Sequence, residues 1–279
     1  MKTKCILVVA LVLSLNLYAQ NEFEVSISGN GQPVLLFPGF TCTGEEYQDL
    51  VGELSKNHRV YNFTFAGFGN VPPIEKPWLP KIKEALENYI AKNNLEQSVI
   101  IGHSMGGTLG LWLASDNPDL FSKLIIIDAL PAMGALMIPD YDSQNIQYDT
   151  PYNRKILSMD DTAFETMATQ MALGMTQNTE KRQQLTDWII KADRKTFVYG
   201  YTDLLKLDLR PALSKIKISV TILVATEPYG QDIVEKNYGE QYQNLDDYSV
   251  YIAEGSSHFI MYDKPDWFFN HIKSALRTK

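Results

Sequence analysis

The residues of this 279-residue chain that could do chemistry gather around one serine. Gly102-His103-Ser104-Met105-Gly106-Gly107 follows the pattern G-x-S-x-G. Glycines on either side of the serine allow a sharp strand-to-helix turn that lifts its hydroxyl above a sheet edge. Such a hydroxyl becomes a nucleophile only with a base beside it. Of the four histidines, His58 falls in a polar turn, His103 lies inside the motif and His271 belongs to a C-terminal helical segment, so each reads as structural. His258 sits in Glu254-Gly255-Ser256-Ser257-His258-Phe259, a loop between the last strand-like run and the last helical one, where an imidazole can reach the same edge. The base in turn needs a carboxylate on Nδ1 to fix its tautomer and stabilise the imidazolium. Asp128 ends the apolar run 124–127, while Glu227 and Asp232 lie in Thr226-Glu227-Pro228-Tyr229-Gly230-Gln231-Asp232. Asp128 is the first choice because a strand end fixes its backbone. Asp232 must be carried back by a loop containing Pro228 and Gly230, and Glu227 is the third candidate.

These residues need a frame that brings them to one edge. Runs 34–37, 60–65, 98–101, 124–127, 220–225 and 249–253 are short and mostly continuous in apolar residues, as strands buried on both faces must be. Segments 47–56, 78–93, 106–115 and 267–277 repeat apolar residues at helical spacing. Alternation of this kind predicts an α/β fold with a mostly parallel sheet flanked by helices. Residues 131–213 break it, offering only helical stretches at 161–173, 179–192 and 195–207. The expectation is a core of residues 20–130 and 214–279 with a helical cap inserted at 131–213. The cap carries Met133, Met137, Met159, Met167, Met171 and Met175, side chains that fill irregular gaps and adapt to varied ligands. Filling the core is the more economical role for most of them.

Residues 1–19 are set apart. Lys2 and Lys4 precede an apolar stretch from Cys5 to Leu17, and Leu17-Tyr18-Ala19 offers a small-residue cleavage site. This is the pattern of a secretory signal peptide, so a periplasmic or secreted protein is expected, with its mature chain starting near Gln20. The stretch is shorter than the roughly 20 residues of a spanning helix, and no later segment suits a membrane. Loss of Cys5 leaves Cys42 as the one thiol, which excludes an internal disulfide. A net charge of −8 without a basic run argues against nucleic acid, leaving a small-molecule substrate as the expected partner. No His/Cys/Asp cluster has ligand spacing and no Gly-x-Gly-x-x-Gly follows a strand, so no metal or cofactor is expected.

The motif, the strand and helix around it and the placement of His258 resemble the α/β-hydrolase superfamily from about residue 24 to the C-terminus. Leu35-Leu36-Phe37-Pro38-Gly39-Phe40 resembles the family's oxyanion loop, with Pro38 where many members have His. Residues 59–69, ending Ala66-Gly67-Phe68-Gly69, resemble its fourth strand and following loop, with Thr64 in place of the usual Asp. The resemblance implies Ser104 as nucleophile, His258 as base and an oxyanion hole built from the Phe40 and Met105 amides. Many relatives carry the acid after the strand that follows the cap, as Asp232 or Glu227 would, and some place it as Asp128 would. Serine at the elbow argues against dehalogenase or epoxide-hydrolase chemistry. Ester hydrolysis through an acyl-enzyme is the leading expectation; amide, lactone and carbon–carbon hydrolysis, or ligand binding without turnover, share the same scaffold.

Overall fold

The computed structural model describes residues 22–277, and the segment expected to be a signal peptide lies outside them. The frame is a seven-stranded sheet. Its strands are β1 (Phe23–Ser28), β2 (Gln32–Phe37), β3 (His58–Phe65), β4 (Ser98–His103), β5 (Phe121–Ile127), β6 (Val220–Ala225) and β7 (Tyr248–Ala253). They lie side by side in the order β1-β3-β2-β4-β5-β6-β7. All neighbours are parallel except β1, which runs antiparallel to β3. This is the α/β-hydrolase arrangement. β1 was not expected from the sequence: Phe-Glu-Val-Ser-Ile-Ser alternates on a half-exposed edge and lacks the continuous apolar run of the inner strands.

Helices α1 (Gln48–Leu54), α2 (Trp78–Lys92) and α3 (Met105–Asp116) fill the first crossovers. Between β5 and β6 the described residues hold no strand, only two short 3-10 turns and the helices α4 (Met133–Met137), α5 (Pro151–Leu157), α6 (Asp161–Met175), α7 (Thr179–Lys191) and α8 (Arg194–Lys206). The chain closes with α9 (Gln231–Gln241), the short α10 (Ile260–Asp263) and α11 (Pro265–Arg277). One sheet face packs against α2, α3 and α9 through Ile82, Leu86, Leu109 and Tyr238, and the other against α1 and α11 through Leu50, Leu54, Phe268 and Ile272. Each such side chain contributes about 1.5–3 kcal/mol by leaving water, so the strand ends are held firmly enough to aim side chains.

The helices between β5 and β6 have a small core of their own. Ile156, Phe164, Ala168, Ile189, Phe197 and Val198 are buried together, and Met159, Met167 and Met171 pack against them. Met133 and Met175 pack on the two sheet-face clusters, while Met137 is 54% exposed. Methionine here mostly fills gaps. Asp203 of α8 caps the start of α2, accepting from the Trp78 and Leu79 amides at 2.6 and 3.0 Å. The Asp193 amide donates to the Gly67 carbonyl at 2.8 Å, and the Phe259 amide to the Met175 carbonyl at 3.0 Å. Asp263 joins the α6–α7 turn to the loop that carries His258: Oδ1 accepts from the Gln177 amide and the Thr176 hydroxyl, and Oδ2 from the Ser257 amide.

Candidate active site

β4 delivers Ser104 at its C-terminal end with φ 51° and ψ −123°, in the left-handed half of backbone space. A β-carbon on L-residues disfavours this region, so the surroundings must hold it. The Ser104 amide donates to the Ile127 carbonyl at 2.9 Å, extending the β4–β5 pairing one residue beyond His103 and Ile127. On the far side of the turn, a β-carbon on Gly106 would lie 2.1 Å from the Phe37 carbonyl oxygen, so only glycine allows α3 to start against β2.

Asp128 is the next residue after β5 and also takes a positive φ, 44°. Its amide donates to the Leu223 carbonyl at 2.8 Å, which turns the side chain up over the sheet edge. There Oδ2 meets His258 Nδ1 at 2.6 Å. Oδ1 accepts from the Ala225 amide and from the Tyr238 hydroxyl, each at 3.0 Å. Burial alone would raise the carboxyl pKa, but the His258 contact and the Ala225 amide outweigh it and hold Asp128 below the usual carboxylate range. Burial and the adjacent carboxylate push the Tyr238 phenol well up, which keeps it a donor.

The other two carboxylate candidates stand apart from this group. Asp232 is exposed in the first turn of α9, a helix not expected from the sequence because Gln-Asp-Ile-Val-Glu-Lys-Asn-Tyr-Gly-Glu-Gln buries few positions. Glu227 is exposed at the end of β6, where its amide donates to the Ser256 carbonyl. Neither side chain has a hydrogen-bond or ion-pair partner among the described residues. The remaining histidines are held elsewhere: His58 begins β3, and His271 Nδ1 contacts the Trp267 carbonyl within α11.

The loop after β2 passes beside the elbow. Among the described residues neither the Phe40 nor the Met105 amide is used in a loop, turn or cap hydrogen bond, whereas the Gly39 amide is taken by Glu46 Oε2 at 2.9 Å. The Phe40 ring lies in an aromatic bed, with centroids 5.1 Å from Phe68, 5.8 Å from Phe197 and 5.6 Å from Tyr201. The cap helix α8 thus roofs the loop with apolar rings. Thr64, in place of the expected Asp, accepts from the Gly44 amide at 2.9 Å and so steadies the same loop from below. Cys42 is buried, and burial followed by the charge of Glu46 pushes its thiol well up, away from nucleophilic use.

Ser104 and His258 share no hydrogen bond among the described residues, although the rings of His103 and His258 are 4.5 Å apart. Three residues of the site escaped the sequence reading. Glu46 has a periodicity signal, since it lies four residues before buried Leu50. Tyr238 has one too, in the buried stripe Val234, Tyr238, Tyr242. Asp263 has none, because its partners come from the α6–α7 turn and the loop that carries His258.

Comparison with known proteins places this geometry among relatives. Over 240 residues the chain is 23% identical to a pimeloyl-[acyl-carrier protein] methyl ester esterase of Vibrio cholerae, covering 83% of this chain and 89% of the relative. It is also 23% identical over 255 residues, 88% of the chain, to the biotin biosynthesis bifunctional protein BioHC of Cellvibrio japonicus, of which it spans only 48%. An esterase structure from Exiguobacterium antarcticum superposes with a TM-score of 0.76 at 16% identity, covering 92% of this chain and 96% of that one. With the alpha/beta hydrolase family model matching residues 34–271 as well, the chain belongs to the alpha/beta hydrolase family.

Proposed function

We propose that this protein is an exported serine hydrolase that cleaves a small to medium carboxylic ester through an acyl-enzyme. The observation that carries the reading is the 2.6 Å contact of Asp128 with His258 Nδ1 beside the strained Ser104 turn. Ser104 Oγ attacks the ester carbonyl carbon and its proton passes to His258 Nε2, while Asp128 stabilises the imidazolium. The Phe40 and Met105 amides receive the oxyanion, contributing about 3 kcal/mol each to the lowered barrier. As the tetrahedral intermediate collapses, the bond to the alcohol oxygen breaks and that oxygen takes the proton from His258. Water then gives a proton to His258 as it attacks the acyl carbon; the bond to Ser104 Oγ breaks, Oγ takes that proton back from His258, and the carboxylic acid leaves. The Ser104–His258 hydrogen bond forms when substrate is bound, as catalytic contacts commonly tighten only in the Michaelis complex.

An ester is favoured over an amide, lactone or carbon–carbon bond because the Vibrio cholerae relative is named for a methyl ester. The aromatic bed around Phe40 suits an apolar acyl or alcohol group. Export rests on the pattern of Lys2, Lys4 and the apolar stretch that follows; among the described residues no helix is long and apolar enough to cross a membrane. A fluorophosphonate probe tests the core of the proposal. It should label the folded protein at Ser104 and leave Ser104→Ala unlabelled, and p-nitrophenyl esters from acetate to decanoate should then define chain-length preference. Tight ligand binding with no adduct and no acyl-enzyme burst would overturn the proposal in favour of a non-catalytic binding protein.

A further inference from the structure

Beneath the elbow lies a pair of titratable groups that acyl transfer itself does not use. Glu46, in the turn Gly44–Tyr47, is 4% exposed, and His103 is 0% exposed. Glu46 Oε2 accepts from the Gly39 amide, and Oε1 lies 3.0 Å from His103 Nδ1. The other ring nitrogen, Nε2, is 3.0 Å from the backbone carbonyl oxygen of His258. A carbonyl only accepts, so Nε2 carries a proton. A neutral ring would then turn the bare lone pair of Nδ1 toward a carboxylate oxygen, two acceptors face to face in a buried site. Neither Nδ1 nor Oε1 completes an aligned hydrogen bond, so their approach is stabilised chiefly by charge. Protonating Nδ1 makes it an ion pair.

Three elements meet at this pair. Gly39 precedes Phe40, whose amide is the proposed oxyanion donor; His103 precedes Ser104; and the accepting carbonyl belongs to the proposed base. The approach is close enough that a β-carbon on Gly39 would lie 2.9 Å from His103 Nδ1 and 3.4 Å from Glu46 Oε2. The groups facing the pair are Asp128 from the end of β5, the Cys42 thiol and Tyr47 phenol beside Glu46, Tyr262 of α10 and His258 above. Asp128 is engaged by His258, and Glu46 has no Lys or Arg partner among the described residues, so a positive His103 ring is its complement.

We propose that Glu46 and His103 form a buried carboxylate–imidazolium pair that holds the oxyanion loop and the base loop in register with the Ser104 elbow, making both positioning residues for acyl transfer. The proposal rests on the serine-hydrolase reading above. Burial works against the charge on His103, but Glu46 and then Asp128 overcome it, and the ring's pKa is raised from its ordinary value. A raised histidine pKa stabilises the fold fully below the unfolded value and loses that contribution as pH climbs through the folded one.

Glu46→Gln separates charge from shape. Its amide oxygen can still take the Gly39 amide, and its NH₂ can donate to a neutral Nδ1, so packing survives while the ion pair does not. In wild-type protein, 15N spectra of the imidazole should show both His103 ring nitrogens still protonated just above about pH 6.5, where an ordinary histidine has begun to lose its proton. In Glu46→Gln the ring should be neutral there. The maximal rate of fluorophosphonate labelling should fall about tenfold with little change in probe affinity, as expected of misaligned reacting groups. Wild type should also show an alkaline fall in that rate that the variant lacks. A His103 ring in wild type that is already neutral at about pH 6.5, the ordinary histidine value, overturns the proposal, and so does a folded Glu46→Gln labelled within about twofold of wild type. If the variant does not fold, the wild-type spectra alone decide. A wild type that never labels at Ser104 refutes the serine-hydrolase reading instead, a result distinct from either.

Discussion

Asp128→Asn tests how the proposed base is oriented, and the hydrogen bonds at Asp128 decide the outcome. Oδ1 faces two donors, the Ala225 amide and the Tyr238 hydroxyl, and Oδ2 faces His258 Nδ1. An asparagine must keep its oxygen toward the Ala225 amide, because that N–H cannot rotate to become an acceptor. Its NH₂ group is therefore aimed at His258 Nδ1, which must accept. The proton is forced onto Nε2, the nitrogen that should receive the one from Ser104. The fold stays intact, since size and all but one donor–acceptor match are preserved. The expected loss in kcat is about 10⁴, the effect of a wrong imidazole tautomer, equivalent to about 5 kcal/mol in the barrier. The assay is p-nitrophenyl butyrate hydrolysis at saturating substrate, with thermal unfolding as the folding control. Asp232→Asn and Glu227→Gln, measured alongside, should stay within about twofold, being changes to exposed side chains without a partner among the described residues. A folded Asp128→Asn that keeps kcat within about tenfold of wild type would refute the argument.

Other predictions follow from the same contacts. Tyr238→Phe removes one donor to a carboxylate and should lower kcat about tenfold with KM little changed, in line with a charged hydrogen bond of about 1.5–3 kcal/mol only partly expressed in the rate; steady-state kinetics checks this. Gly106→Ala drives a β-carbon into the Phe37 carbonyl and should cost about 3 kcal/mol or prevent folding, read by urea unfolding or soluble yield. Asp263→Ala leaves the Ser257 and Gln177 amides without their acceptor; a loss of about 2 kcal/mol in thermal stability should accompany lower kcat and higher KM. Asp128 titrates below its ordinary value in the fold, so its pairing contributes stability above the unfolded carboxylate pKa and loses it as pH falls through the lower folded one. The stability gap between wild type and Asp128→Asn should accordingly narrow on acidification below about pH 4, as urea titrations at stepped pH will show.

The inner sheet was legible because burial on both faces writes itself as runs such as Leu124-Ile-Ile-Ile127, and the elbow because its glycines are sterically required. Edge and surface elements were not. β1 buries one side of a six-residue strand, and α9 draws its buried residues from a mostly polar sequence. The choice among Asp128, Asp232 and Glu227 turned on a strand end fixing a backbone, and the structure brings only Asp128 to His258. Glu46 illustrates the limit. Glu45-Glu46 looks like ordinary surface charge, and its burial depends on His103, 57 residues further along the chain. Its spacing to Leu50 hints at an inward face, but nothing local names the partner that β4 supplies.

The Asp263 clamp bears on the order of events in a catalytic cycle. One carboxylate holds both the α6–α7 turn and the amide next to His258, and the Phe259 amide is fastened to the last residue of α6. A swing of that turn large enough to admit substrate from its side would drag the base loop with it. Entry by that door would disturb the proposed base, so that route and proton transfer would be separated in time. The α4–α5 stretch has no such tie to the base loop among the described residues. A substrate that enters beneath it would leave the Asp128–His258 contact in place.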